Sequence, residues 1–255
     1  MTDIVHAKLW KPQANSDISE DPTQPGVDQS RMELIQLTSM LLKYHHNMLS
    51  DARKDVIMFG WTYIRLEDTI NKYASYALIS YFIAHYDTPA KIVVQIYGKL
   101  LGAHQAEGRP LVMQALEILE PVLIKRTGGE QARAPAWTRI PRRILSEETS
   151  NTPQLTSIFQ FLVRHPDLFY EARESFASII IPSLNKVAQL PNPSTENKRL
   201  AINLFSMIWH WEERTVKENG SLSASQSPGS EAPSVNKKAA SASYALRTMM
   251  IKYMV

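Results

Sequence analysis

The chain has 255 residues, of which 44% are hydrophobic and 21% charged, a composition that excludes disorder for most of its length and allows one large domain or an array of repeats. Its 28 Lys+Arg against 25 Asp+Glu give a net charge of +3, too slight a balance to imply a nucleic-acid or membrane partner. The absence of cysteine removes disulfides, thiolate chemistry and Cys-based zinc sites and fits a reducing compartment.

Residues 1–29 carry no basic lead into an apolar run and read as a flexible polar arm, not a secretory signal. An amphipathic helix is predicted over 32–49, with Leu34, Leu37, Leu41, Leu42 and Met48 inward, and another around 53–59. From Ile70, the positions Tyr73, Ala74, Ala77, Leu78, Tyr81 and Phe82 lie on one helix face, with Asp68 as N-cap. Ile79 and Ile83 widen that stripe, so this helix is expected in the middle of a stack, covered on more than one side. The densest apolar run, 76–86, is interrupted by Ser80 and His85 and is too short to span a bilayer.

Thr88 and Pro89 are expected to open the next helix, which buries Val93, Ile96, Tyr97, Leu100 and Leu101 before Gly102 stops it. A helix from about Pro110 follows with Val112, Ala115, Leu116, Leu119 and Leu123 inward, and Pro121 is expected to kink or loosen its last turns. Beyond the break at Thr127, Gly128 and Gly129, a shorter helix is predicted over 137–148. Another starts at Thr152 and Pro153, with Leu155, Ile158, Phe159, Leu162 and Val163 buried, and ends at His165 and Pro166. Phe176, Ile179, Ile180, Leu184 and Val187 form the following face around an internal Pro182. Ser194 or Thr195 caps a helix that buries Ala201, Leu204, Phe205, Ile208 and Trp211.

Predicted helix starts recur about every 20 residues, so helix pairs recur about every 40, the period of HEAT and armadillo arrays. The expected fold is all-α: a HEAT-like α-solenoid of antiparallel helix pairs over 30–218, with a compact helical bundle as the rival. The Ser- and Pro-rich stretch 219–236 reads as a disordered linker. The apolar positions Tyr244, Met249, Met250, Tyr253 and Met254 mark 237–255 as a helix of a truncated following repeat.

Chemistry is sparse. The chain has no Walker-type loop, no kinase Gly-rich loop, no His-Arg-Asp and no Asp-Phe-Gly motif, so no enzyme activity and no cofactor or metal is expected. His45 and His46 diverge on a helix and read as surface or interface histidines. Glu147 with Glu148, and Glu212 with Glu213, read as solvated faces, and Ser183 and Ser206 as ordinary helix positions. Trp211 belongs to the core stripe, and core packing is the reading favoured for the Trp209–Trp211 pair. One cluster carries a functional reading: Lys125, Arg126, Arg133, Arg139, Arg142 and Arg143, with Trp137 among them, could dock acidic protein segments because guanidinium forks bind carboxylates bidentately. A solvated loop explains the same charges blandly, and a nucleic-acid module is the weakest of the three readings.

The stretches LLKYHHNMLSDARKDVIMFGW, LEDTINKYASYALISYFIAHYDTPAKIVVQIYGKLLGAHQAEGRPLVMQALEILEPVLIKR and SIFQFLVRHPDLFYEARESFASIIIPSL, followed by LPNPSTENKRLAINL, resemble the helical-repeat region of the transformation/transcription domain-associated protein (TRRAP) family and its fungal counterparts. The resemblance implies a HEAT solenoid segment of a giant pseudokinase of the phosphatidylinositol-3-kinase-related class, a non-catalytic scaffold that recruits SAGA-type histone acetyltransferase complexes to activators in the nucleus. The alternative is a regulatory HEAT solenoid of an active kinase of that class. Partners implied are the rest of the parent chain, acetyltransferase-complex subunits and acidic activators; direct nucleic-acid and membrane contacts are not expected.

Overall fold

The structure is a computed structural model that describes residues 10, 27–65, 68–103, 105–127, 136–147, 152–188, 194–224, 248 and 251. Its elements are α1 Val27–His45, a 3-10 turn His46–Leu49, α2 Arg53–Ile64, α3 Thr69–His85, α4 Ala90–Leu101, α5 Arg109–Thr127, α6 Ala136–Glu147, α7 Thr152–Arg164, α8 Pro166–Phe169, a 3-10 turn Tyr170–Ala172, α9 Arg173–Ala188 and α10 Thr195–Ala224. No strand occurs among the described residues, and the all-α, HEAT-like expectation holds. The chain divides into two compact units, Met1–Pro141 and Arg142–Val255.

In the first unit, α3 packs against α1, α5 and α2, and α4 packs against α5. Alternate helices α1, α3 and α5 thus make one layer, while α2 and α4 cover α3 and α5 from a second layer, the pairing of a helical-repeat stack. Asp68 caps α3 as expected: its carboxylate accepts from the Asn71 backbone N–H at 2.7 Å. Leu78, Ile79 and Ile83 are 0% exposed, so α3 is enclosed on more than one side. Each such side chain contributes roughly 1.5–3 kcal/mol on leaving water.

Two glycines set the spacing around α3. At Gly60 on α2 a Cβ would lie 2.9 Å from Ile79 Cγ1 and 3.0 Å from Leu78 Cδ2, so α2 approaches α3 at a distance that excludes a side chain. At Gly108, a Cβ would overlap the ring of Tyr73.

Several boundaries and faces differ from expectation. The expected arm 1–29 contributes to the core and to a helix: α1 starts at Val27, and Trp10 is 2% exposed with its indole N–H donating to Thr38 Oγ1 at 2.9 Å. A polar composition averaged over the arm hid a single aromatic that enters the core. The inward face of α1 is therefore Ile35, Thr38, Leu41 and Leu42, while Leu37 is 40% and Met48 57% exposed. The tighter 3-10 turn after α1 rotates Leu49, not Met48, into the interior. Helix α2 continues to Ile64, and Ile70 sits at the margin of exposure.

Thr88 does not cap α4; its hydroxyl donates to the Tyr86 carbonyl at 3.2 Å, and Pro89 occupies the N-cap position. Gly102 ends α4 as expected. Pro121 and Pro182 are accommodated inside α5 and α9 without ending them. Both are exposed, which leaves the carbonyl a turn earlier open to water.

In the second unit, α10 packs against α9 and α7. Leu155, Ile158, Phe159, Phe161 and Leu162 of α7 are all 0% exposed. Phe161, Phe169 and Phe176 form an edge-to-face chain with centroids 5.8 and 5.1 Å apart. Ser194 caps α10, accepting from the Asn197 N–H at 3.1 Å. That helix runs to Ala224, into the stretch 219–236 read as a linker. Poor burial capacity is no bar to adding turns to an existing helix, because only nucleation is costly. The break at Gly128 and Gly129, residues 225–236, and 237–255 apart from Thr248 and Ile251 lie outside the described residues.

Replacing Gly60 with leucine is expected to push α2 off α3 and destabilise the first unit by about 1–3 kcal/mol, measured as a lowered denaturant midpoint. An unchanged midpoint would show that the helices separate freely there.

Candidate functional site

The basic stretch is not one surface. Lys125 and Arg126 occupy the last turn of α5, where cations complement the negative end of the helix dipole. Lys125 is exposed. Arg126 reaches across to pair with Asp87, ahead of α4; the Asp87 side chain is 97% exposed, so the pair contributes less than about 1 kcal/mol. Arg133 lies outside the described residues. Trp137 is 5% exposed, so its ring packs inward and offers no face to a partner.

Arg139, Arg142 and Arg143 share one side of α6 by their helical spacing. Arg139 is exposed and Arg142 half-buried, with the Arg142 Nε buried and lacking a hydrogen-bond partner. Arg143 is 69% exposed and pairs loosely with Glu147 at 3.8 Å. The outward cations are thus Lys125 at the end of α5 and Arg139 and Arg143 along α6.

The other residues weighed from sequence take structural positions. His45 is exposed, whereas the His46 ring stacks on His85 at 4.1 Å with 12° between planes. Burial, then the neighbouring His46, holds the His85 imidazole below its ordinary range. Ser183 donates back to the Ile179 carbonyl at 2.8 Å, the usual helix arrangement, and Ser206 is exposed. Glu148 lies outside the described residues. The two tryptophans separate: Trp211 is 3% exposed and donates to the Pro166 carbonyl at 2.9 Å. Trp209 is 56% exposed and donates to Glu213 Oε1 at 3.0 Å.

Sequence reasoning missed a polar network joining α8, the following turn, the start of α9 and α10. The Tyr170 ring lies between two guanidinium groups, Arg214 at 3.9 Å and Arg173 at 4.3 Å from its centroid. Its hydroxyl donates to Glu218 Oε2 at 2.7 Å and lies 3.2 Å from Thr215 Oγ1. Arg214 donates to Glu218 at 2.9 Å and to Asp167 at 3.0 Å, and Arg173 donates to Thr215 at 2.9 Å. Bonds from Tyr170 and Arg214 hold the Glu218 carboxyl below its ordinary range, while burial raises the Tyr170 phenol. The partners are some 45 residues apart in the chain, so no local pattern could announce them. Every group in the network finds a partner within it, which makes it a lock that ties α8, the turn and the start of α9 to the body of α10.

Among the described residues no group of three or more His, Asp or Glu is placed to hold a metal ion. No described helix is long and apolar enough to cross a membrane.

Residues 1–252 match the family described as the Tra1 HEAT repeat ring region. The chain is similar to the SAGA complex/NuA4 acetyltransferase complex subunit TRA1 of Saccharomyces cerevisiae, 37% identical over 216 residues that cover 84% of this chain and 6% of the relative. It is 41% identical over 182 residues, 71% of this chain and 4% of the relative, to the probable transcription-associated protein 1 of Dictyostelium discoideum. The transformation/transcription domain-associated protein of Homo sapiens is 25% identical over 228 residues, 86% of this chain and 6% of the relative.

The Tyr170 network has a testable pH signature. A carboxyl whose folded pKa is depressed contributes stability that is present above the ordinary carboxylate range and lost as pH falls through and below it. Glu218→Gln is therefore expected to lower the denaturant midpoint of the second unit at pH 7 and to differ less from the wild type at pH 3.5. An equal difference at both pH values would show that the Glu218 charge contributes nothing.

Proposed function

The chain belongs to the Tra1 HEAT repeat ring family, and on that premise we propose that it is a non-catalytic scaffold segment of a giant phosphatidylinositol-3-kinase-related pseudokinase, one that brings histone acetyltransferase complexes to transcriptional activators in the nucleus. The observation that carries this reading is the match over residues 1–252 to a region described as a HEAT repeat ring. The Saccharomyces cerevisiae relative is by name a subunit of SAGA and NuA4 complexes. The chain spans about 6% of the length of the Saccharomyces relative; in this reading the segment supplies helical surface, and the kinase-like domain belongs to the parent chain.

Stacked helix pairs suit that task physically. Each pair buries its apolar faces against its neighbours, which leaves a long periphery of exposed side chains free to vary without touching the core. Its partners would be the rest of the parent chain, subunits of the acetyltransferase complexes, and acidic activator segments. For the last of these, Lys125, Arg139 and Arg143 are the described cations of the basic stretch that are exposed, and Arg forks supply paired donors to carboxylates.

The double variant Arg139→Glu, Arg143→Glu is expected to weaken binding of an acidic activation-domain peptide about tenfold, with lower salt sensitivity than the wild type and unchanged helicity. Unchanged affinity would return these residues to a solvated helix face. The same preparation is expected not to take up ATP saturably in the presence of magnesium; such uptake would overturn the non-catalytic part of the reading.

A further inference from the structure

The turn His46–Leu49 meets the C-terminal end of α3 through two contacts. The imidazoles of His46 and His85 stack with centroids 4.1 Å apart and 12° between planes, and the Tyr86 hydroxyl donates to the His46 carbonyl. Both histidines are half-buried, and the His46 Nδ1 is buried without a hydrogen-bond partner. On the α3 side, Tyr86 is anchored by its ring, 4.8 Å from that of Phe82, and by its backbone N–H, which donates to the Phe82 carbonyl at 2.8 Å. On the other side, Leu49 and Ala52 are 3% and 7% exposed, and the Ala52 N–H donates to the Leu49 carbonyl at 3.0 Å. The turn therefore belongs to the core for as long as it stays against α3.

The charged groups around the stack are cationic or engaged elsewhere. On α1, Lys43 and His45 are exposed, as is Lys91 at the start of α4. From α2, the Arg53 guanidinium lies 5.8 Å from the Tyr86 ring centroid and donates to the Ser50 carbonyl at 2.8 Å. From α5, Arg126 is turned to Asp87, just beyond the end of α3. Asp51, ahead of α2, is exposed, and Asp55 in its first turn is half-buried. Among the described residues, no carboxylate pairs with either imidazole.

A first proton on the pair is tolerated, because an imidazolium stacks well on a neutral ring. A second sets two like charges face to face without a counter-ion, in a place where burial already disfavours charge. Burial first, and His46 second, hold the His85 imidazole below its ordinary range.

We propose that the His46–His85 stack is a proton-sensitive clasp, which holds the turn after α1 against α3 while at least one ring is neutral and releases it when both are charged. Release uncovers Leu49 and Ala52, a local opening of the first unit that stops short of unfolding. The folded chain binds fewer protons at this pair than the unfolded chain does. The clasp is therefore fully effective above the ordinary histidine value of 6.5 and weakens as pH falls through and below it.

Hydrogen exchange of the Ala52 and Tyr86 amides on the full chain tests this, with rates corrected for intrinsic exchange at each pH. Their protection is expected to be level above about pH 7 and to fall at lower pH by up to about tenfold per unit, the limit for one excluded proton. His85→Phe keeps a ring in the stack without the titrating group and is expected to abolish the fall. Where it does not fold, His85→Gln, neutral and polar at the same position, serves instead with the same expectation. His46→Phe removes the second charge and is expected to lessen the fall, while His45→Phe, on the exposed neighbour, is expected to leave it unchanged. Level protection in the wild type down to about pH 5 would overturn the proposal. So would a fall that survives neutralising His85, one that His46→Phe leaves unaltered, or one that His45→Phe removes.

Discussion

The enclosure of α3 is the constraint on which the first unit depends. A helix surrounded by α1, α2 and α5 has little room for polar groups, yet its sequence contains Ser75 and Ser80, both 0% exposed. Each hydroxyl is satisfied inside the helix, Ser75 by the Asn71 carbonyl at 2.9 Å and Ser80 by the Tyr76 carbonyl at 2.8 Å. The serines are therefore small, internally bonded spacers that let neighbouring helices approach. Glycine does the same from the neighbours' side: Gly60 brings α2 onto Leu78 and Ile79, and Gly108 brings the start of α5 onto the ring of Tyr73. Burial of α3 thus fixes the positions of the three helices around it.

The regular interior of each unit was legible in the amino-acid pattern because helical periodicity is a local property. The stripe through Tyr73, Leu78 and Phe82, the caps at Asp68 and Ser194 and the stop at Gly102 need only a few consecutive residues to be recognised. What escaped depended on distant residues. The phase of α1 was misread because Leu37 and Ile35 are equally apolar, and the choice between them was made by the surroundings, Trp10 on Thr38 among them. Trp209 and Trp211 are two residues apart on one helix, so their sides diverge, and only Trp211 enters the core.

Function was less legible than fold for the same reason. The basic stretch looked like one patch because its residues are close in sequence, but the folded chain gives them different duties. Arg126 turns to Asp87, Trp137 packs inward, and Arg143 leans toward Glu147. The Tyr170 network is the converse: residues far apart in the chain meet at one point and tie the turn after α8 to α10. In a protein built from packing helices, exposed side chains with no local structural reason are the informative ones. Arg139, exposed on α6, stands out by that criterion. The match to the Tra1 HEAT repeat ring region places such surfaces on a helical-repeat array, where exposed side chains are free to vary without touching the core.

If enclosure of α3 organises the first unit, weakening its interior must loosen all of its neighbours together. The measurement is native-state hydrogen exchange of the full chain carrying Leu78→Ala, a truncation of the kind that costs about 2–5 kcal/mol in a packed core. The account predicts that protection falls by similar factors in α1, α2, α3 and α5. Loss of protection in α3 alone, with α1 and α5 unchanged, would contradict it.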